Sequence, residues 1–317
     1  MNVLICGFGH AGQAYLKAIS HICKNANVYV YDLNEGIAVP EYVNKLSNID
    51  DDYVKFEVGI IATPPESHLS TLLLIQGLCE KIVIEKPIST SYLDYQRIKK
   101  LALNGNIYFS FHASFGKELC LFNDCNKFDH ESDLMISHFF SDSYGDSKSH
   151  LGGPFWDSIY NVVSVFLRVV ASDVNISKIE RIEDNLDSFS SSIIYEGKNG
   201  RVINQIINIH WDKVINLKVT QVSQLNTNVT MNHSSQSCYS INGEFNLDVP
   251  FELDRLGEHY SSVLLDVINA DDNSHNIEIE SKISDLVWDI FNATLKDRDR
   301  MLLSLGSAEL GTGVDIG

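Results

Sequence analysis

Positive charge is scarce in this chain: 24 lysines and arginines face 42 acidic residues among 317, for a formal net charge of −18. Nucleic-acid binding draws most of its affinity from basic side chains that neutralise phosphates, so this balance excludes that class of partner. It favours solubility, and with only isolated lysines in view it favours a neutral substrate. Cysteine is equally sparse. Cys6, Cys23, Cys79, Cys120, Cys125 and Cys238 form no CxxC pair and no dense framework, which argues against a disulfide scaffold, a zinc centre or a dithiol redox site, and no metal is expected. No apolar run approaches the roughly 18 residues of a membrane helix, and Met1 leads into a strand-like segment rather than a basic, then hydrophobic, leader. The expectation is a cytoplasmic protein without a membrane partner.

What is present is ample core-forming material, 44% hydrophobic, over a length that favours two domains. The first part alternates β-rich runs (Val3 to Cys6, Val28 to Tyr31, Val58 to Ala62, Ile82 to Glu85, Ile107 to Phe111) with amphipathic helical stretches. That alternation predicts an α/β, doubly wound parallel sheet of the Rossmann type over residues 1–115. Beyond it, two helical segments precede a series of β-like runs (Ser188 to Tyr195, Val202 to His210, Leu217 to Val222, Thr227 to Met231), and two further helices follow, Leu253 to Ala270 and Ser281 to Leu295. Residues 116–317 are therefore predicted to form an α+β domain with a large, mostly antiparallel sheet and a poorly ordered glycine-rich tail. An open sheet of that size needs its apolar face and edges protected, which favours a homo-oligomer, dimer or tetramer.

The strand-turn-helix VLICGFGHAGQAYLKAI carries the dinucleotide fingerprint in the turn Gly7, Phe8, Gly9, His10, Ala11 and Gly12. Gly7 permits a tight turn, Gly9 lets the backbone approach a pyrophosphate, and Gly12 lets the helix pack on the strand; the helix N-terminus then offers free N–H groups to the anion. Asp32 ends the second strand about 20 residues after the last glycine, where a carboxylate accepts hydrogen bonds from the adenosine ribose hydroxyls. A carboxylate there repels a ribose phosphate, and no arginine follows it. NAD is favoured, with NADP as the alternative.

A second signal lies in GIIATPPESHLSTLLLIQGLCEKIVIEKP. Both strand ends, at Thr63-Pro64-Pro65 and at Glu85-Lys86-Pro87, open onto the ligand crevice of such a sheet. Together GFGHAG, ATPPESH ending at His68, and EKP resemble the Gfo/Idh/MocA family of glucose-fructose oxidoreductases and inositol dehydrogenases. The resemblance implies a cofactor site formed by Gly7 to Gly12, Asp32, Thr63, Pro64, Pro65, His68, Glu85 and Lys86. It also implies an aspartate and, four residues later, a histidine on a helix after a glycine pair. LGGPFWDSIYN supplies Asp157, but Asn161 stands at the histidine position, which looks like the galactose and arabinose 1-dehydrogenase branch. The segments around His112 and in the C-terminal helices are similar to that branch more loosely.

The expected activity is hydride transfer between a nicotinamide and a sugar or polyol, including the aldose 1-dehydrogenase case. Lys86 or Asp157 removes the hydroxyl proton, and Asn161, whose amide exchanges no proton near neutral pH, holds a substrate hydroxyl. His112, at the last strand's end, is a further substrate-binding candidate. Asp142 and His150 read as loop residues that a solvated loop explains equally well, and Trp156 and Tyr160 read more readily as helix packing than as stacking partners. Two alternatives stay open: a keto- or imino-group reductase of the same family, and a non-catalytic sugar sensor that keeps the cofactor.

Overall fold

The structure, a computed structural model, describes residues 1–49, 55–124, 128–129, 131–143, 153–170, 174–197, 200–212, 214–234, 237–248, 252–270 and 274–309. The glycine-rich end beyond residue 309, and His150, lie outside the described residues.

Six parallel strands, β1 (Asn2–Cys6), β2 (Asn27–Tyr31), β3 (Asn44–Leu46), β4 (Phe56–Ile61), β5 (Cys79–Glu85) and β6 (Ile107–Ser110), pair in the order β3-β2-β1-β4-β5-β6. Crossovers run through α1 (His10–Ile22), α2 (His68–Ile75) and α3 (Tyr92–Ala102). The inner strands are near-continuous apolar runs because helices cover both faces: Val3 to Cys6, Val58 to Ile61 and Ile82 to Ile84 are all buried. The edge strand β3 was not predicted. It is a three-residue segment, Asn-Lys-Leu, with Leu46 alone buried, so it carries no apolar period to read. Strand order reverses between β1 and β4, and this is where open α/β sheets form their ligand crevice.

After β6 the chain makes a 3-10 turn (His112–Phe115) and α4 (Lys117–Asp124), then enters the second sheet through β7 (Leu134–Ser143). Helix α5 (Pro154–Val170) intervenes before β8 (Val174–Asp184), β9 (Ser188–Gly197), β10 (Val202–Asp212), β11 (Leu217–Gln224), β12 (Thr227–Asn232), β13 (Ser237–Ile241) and β14 (Glu244–Asp248). The order is β14-β13-β12-β11-β7-β10-β9-β8, antiparallel throughout except for the β7–β10 pair. β7 was also unpredicted; its LMISHFFSDS places His138, Ser141 and Asp142 at buried positions, which hides the alternation.

Helix α5 is buried around almost its whole circumference because it lies between this sheet and the C-terminal helices. Trp156 packs 5.1 Å from Trp288, and Tyr160 stacks on Phe111 at 5.6 Å, so both rings serve packing. Two helices close the chain, α6 (Arg255–Asn269) and α7 (Ser274–Glu309). Helix α6 returns to the first sheet: Tyr260, Val263, Leu264 and Val267 join the core of Tyr15, Ile19, Val3 and Ile5. The Tyr15 and Tyr260 rings lie 4.1 Å apart, and Lys81 Nζ donates to the carbonyls of Val267, Ile268 and Ala270 at 2.7–3.0 Å, binding the C-terminal end of α6 to β5.

Candidate active site

The glycine turn follows β1 directly. Gly7 has φ +87°, and a Cβ there would lie 2.6 Å from the Ala62 carbonyl oxygen, so no other residue fits between β1 and β4. A Cβ on Gly12 would strike the Gly7 carbonyl oxygen, whereas one on Gly9 would meet nothing within 4 Å. The open space at Gly9 is the cradle a pyrophosphate needs. No side chain caps the N-terminus of α1, which begins at His10, so its first N–H groups, those of His10, Ala11 and Gly12, face that space. Asp32 reaches across from β2: Oδ2 accepts the Phe8 N–H at 2.7 Å and Oδ1 the Asn34 N–H at 2.8 Å. The Phe8 ring is buried in the core, so Phe8 presents only main chain to the crevice. These features fit a dinucleotide.

Thr63 and Pro64 line the end of β4, while Pro65 is buried. His68 differs from its expected place. Its ring is buried, with Nε2 2.8 Å from the Thr63 carbonyl and Nδ1 3.1 Å from that of Ile88. It therefore braces the TPP turn against the EKP segment rather than facing the crevice, and burial holds its pKa below the ordinary value. Glu85 also turns inward. Its carboxyl accepts from Tyr15 Oη at 3.1 Å beneath the sheet, and burial pushes its pKa up to about 7.

Lys86 faces the opposite way and meets α5. Its Nζ donates to the Asp157 carbonyl oxygen at 2.7 Å and lies 3.6 Å from Asp157 Oδ1, with both side chains nearly buried. Asp157 Oδ2 accepts from Trp211 Nε1 at 3.1 Å, a partner supplied by the end of β10. Asn161 lies one turn further along α5, and its Oδ1 is buried without a hydrogen-bond partner. His112 is buried in the 3-10 turn, and its Nδ1 is equally unpartnered. Burial, the adjacent His259 and the charges of Lys86, Arg255 and Lys218 hold His112 well below its ordinary pKa.

The second sheet adds groups that the sequence did not reveal. Asp142 sits on β7 rather than in a loop; its Oδ1 pairs with Lys218 Nζ of β11 at 2.8 Å, and its Oδ2 accepts from Ser158 Oγ at 3.1 Å. A buried chain continues beside it. His138 Nδ1 and Thr220 Oγ1 are 3.0 Å apart, Thr220 Oγ1 and His233 Nε2 2.8 Å, and His233 Nδ1 and Glu118 Oε1 2.6 Å. Among the described residues no cluster of His, Cys, Asp or Glu could hold a metal, and no helix is long and apolar enough to cross a membrane.

Fold and glycine turn together define a Rossmann-type parallel sheet with a dinucleotide cradle, followed in the chain by a second, mostly antiparallel sheet. Residues 1–111 match the Gfo/Idh/MocA family, described as an oxidoreductase family with an NAD-binding Rossmann fold. No curated protein matches the sequence. Among solved structures, a dehydrogenase (MviM) from Clostridium difficile superposes with a TM-score of 0.71 at 18% identity, covering 92% of this chain and 99% of its own. UDP-N-acetylglucosamine 3-dehydrogenase GnnA from Acidithiobacillus ferrooxidans gives 0.68 at 13% identity, covering 92% and 96%. A myo-inositol dehydrogenase from Corynebacterium glutamicum gives 0.64 at 14%, covering 90% and 94%. At these identities the likeness is one of fold, extending through both sheets.

Proposed function

We propose that this protein is an NAD-dependent dehydrogenase that oxidises a carbinol of a sugar or polyol, with an aldose anomeric hydroxyl as the finer form of the reading. One observation carries it: the Lys86 amine and the Asp157 carboxylate lie 3.6 Å apart where the TPP and EKP strand ends, the glycine turn and α5 converge. Substrates named for the fold relatives, a nucleotide sugar and an inositol, are of the same polyhydroxylated class.

When bound, the nicotinamide supplies the hydride acceptor. The chain supplies the rest. Lys86 gives one N–H to the Asp157 carbonyl oxygen and stands in ion-pair range of its carboxylate, which leaves further N–H capacity for the reacting oxygen. Trp211 and Lys86 together fix the Asp157 carboxylate. With the ammonium of Lys86 donating to the substrate oxygen, the Asp157 carboxylate would take the hydroxyl proton as the carbinol is oxidised to a carbonyl, or to a lactone from an aldose. The unpartnered Oδ1 of Asn161 accepts from a neighbouring substrate hydroxyl and sets the carbon's position.

The test is a screen of aldoses, inositols and nucleotide sugars with NAD and with NADP, followed by absorbance of the reduced nicotinamide. Reduction with at least one class, faster with NAD, is expected. Cofactor binding without turnover on any of them, in either direction, would favour the sensor reading that the non-titrating Asn161 suggests.

A further inference from the structure

The first turn of α5 holds both groups that Lys86 meets, since the amine donates to the Asp157 main-chain carbonyl at 2.7 Å and faces its carboxylate at 3.6 Å. The placement of that turn therefore fixes the pair. Neighbouring residues on a helix point about 100° apart, so with Asp157 directed at Lys86, Ser158 is directed elsewhere, and it meets the second sheet. Its Oγ donates to Asp142 Oδ2 of β7 at 3.1 Å, and Asp142 Oδ1 is held by Lys218 Nζ of β11 at 2.8 Å. Ser158 is 1% and Asp142 9% exposed, so the link lies in the interior. A buried ion pair adds little net stability over apolar packing, and its best-attested use is to select one geometry. Side-chain tips lie about 5–6 Å from a helix axis, so a rotation of α5 by about 10° displaces Asp157 and Asn161, which share a face, by about 1 Å. An error of that size costs about 10²-fold in rate.

We propose that Lys218, Asp142 and Ser158 are positioning residues, a brace from the second sheet that sets the rotation of α5 and so brings the Asp157 carboxylate and the Asn161 amide to their working places. Lys218 fixes the Asp142 carboxylate, Asp142 receives the Ser158 hydroxyl, and the helix turns only when this buried link breaks. Trp211 reports the outcome, because its indole N–H donates to Asp157 Oδ2 at 3.1 Å. The kinetic consequence rests on the dehydrogenase reading, whereas the geometric one stands by itself.

The experiment uses Ser158→Ala in the full-length protein, which removes the hydroxyl and leaves the Asp142–Lys218 pair whole. Ser164→Ala is the control, the same change on the same helix at a serine whose hydroxyl donates back to the Asn161 carbonyl at 2.9 Å. Fluorotryptophan is incorporated at Trp156, Trp211 and Trp288, the Trp211 resonance is assigned with Trp211→Phe, and fluorine NMR spectra are compared. In Ser158→Ala the Trp211 resonance is expected to move toward its position in Asp157→Asn, while Ser164→Ala leaves it in place. With a sugar that the parent oxidises, Ser158→Ala is expected to lower kcat about tenfold or more while KM stays within about threefold. An unmoved Trp211 resonance in Ser158→Ala, or a kcat equal to the parent's whatever the change in Tm, overturns the brace. A moved resonance in a protein that turns over none of the sugars screened retains the brace and discards the dehydrogenase reading.

Discussion

At the scale of single residues, Lys86 and Asp157 are brought together by elements 71 positions apart. Lys86→Met is expected to lower kcat by about 10²–10⁴-fold while leaving the dissociation constant for reduced cofactor, read by nicotinamide fluorescence, within about threefold. A variant that turned over at the parental rate would remove Lys86 from the reaction. The buried imidazoles make a separate prediction. His68, His112, His138 and His259 all have pKa values lowered by burial, those of His138 and His259 to about 3. Unfolding lets each bind a proton at its ordinary value near 6.5, so the unfolded state holds more protons once the pH falls below that value. Stability therefore declines from about pH 6.5 downward, by up to about 1.4 kcal/mol per pH unit per ring. Glu118 acts lower down. Burial opposes its ionisation, but His233 holds its pKa down to about 2, so its contribution is present above about pH 4.5 and is lost toward pH 2. Urea titrations at pH 7 and pH 5 that gave equal stability would contradict the imidazole account. Of these residues, Lys86, Asp157, Asn161 and His112 were legible because ordered motifs announce them. Lys218, Trp211 and His259 were not, since in alternating strands or an amphipathic helix nothing local separates a crevice residue from a packed one.

At the scale of elements, the glycine turn separates folding from binding. Gly7→Ala forces a side chain against the Ala62 and Thr63 backbone at positive φ and is expected to destabilise the protein by more than about 1–3 kcal/mol. Gly9→Ala meets open space, so its Tm should stay close to the parental one while cofactor affinity falls about tenfold or more, because the methyl occupies the cradle. Equal cofactor affinity in Gly9→Ala and the parent would place the dinucleotide elsewhere. The strand-turn-helix was readable because periodicity, glycine spacing and the Asp32 position agree. β3 and β7 were missed for opposite reasons, one too short to show a period and the other alternating with histidine and serine in buried positions. Helix α6 was read as a helix, but its partner was not. Leu264 and Val267 show an apolar face without saying which sheet it covers.

At the scale of the whole molecule, that partner ties the halves together. With Tyr260, Val263, Leu264 and Val267 in the core of the first sheet, residues 1–115 produced alone should expose the α1 face and aggregate, or bind a hydrophobic dye. Supplying residues 252–270 on a flexible linker should restore a cooperative transition. A soluble, cooperatively folding 1–115 fragment would show that the first sheet is complete without α6.

The return of α6 to the first sheet also sets an order of events on the ribosome. The Rossmann strands are finished when Ser110 emerges, yet the segment that covers α1 begins at Arg255. At about 5–20 residues per second the uncovered aromatic face waits roughly 7–30 s for its lid. The nascent chain therefore carries an adhesive surface through nearly half of its own synthesis, and its yield in a cell should depend on chaperones that shield nascent chains more than on the stability of the finished fold.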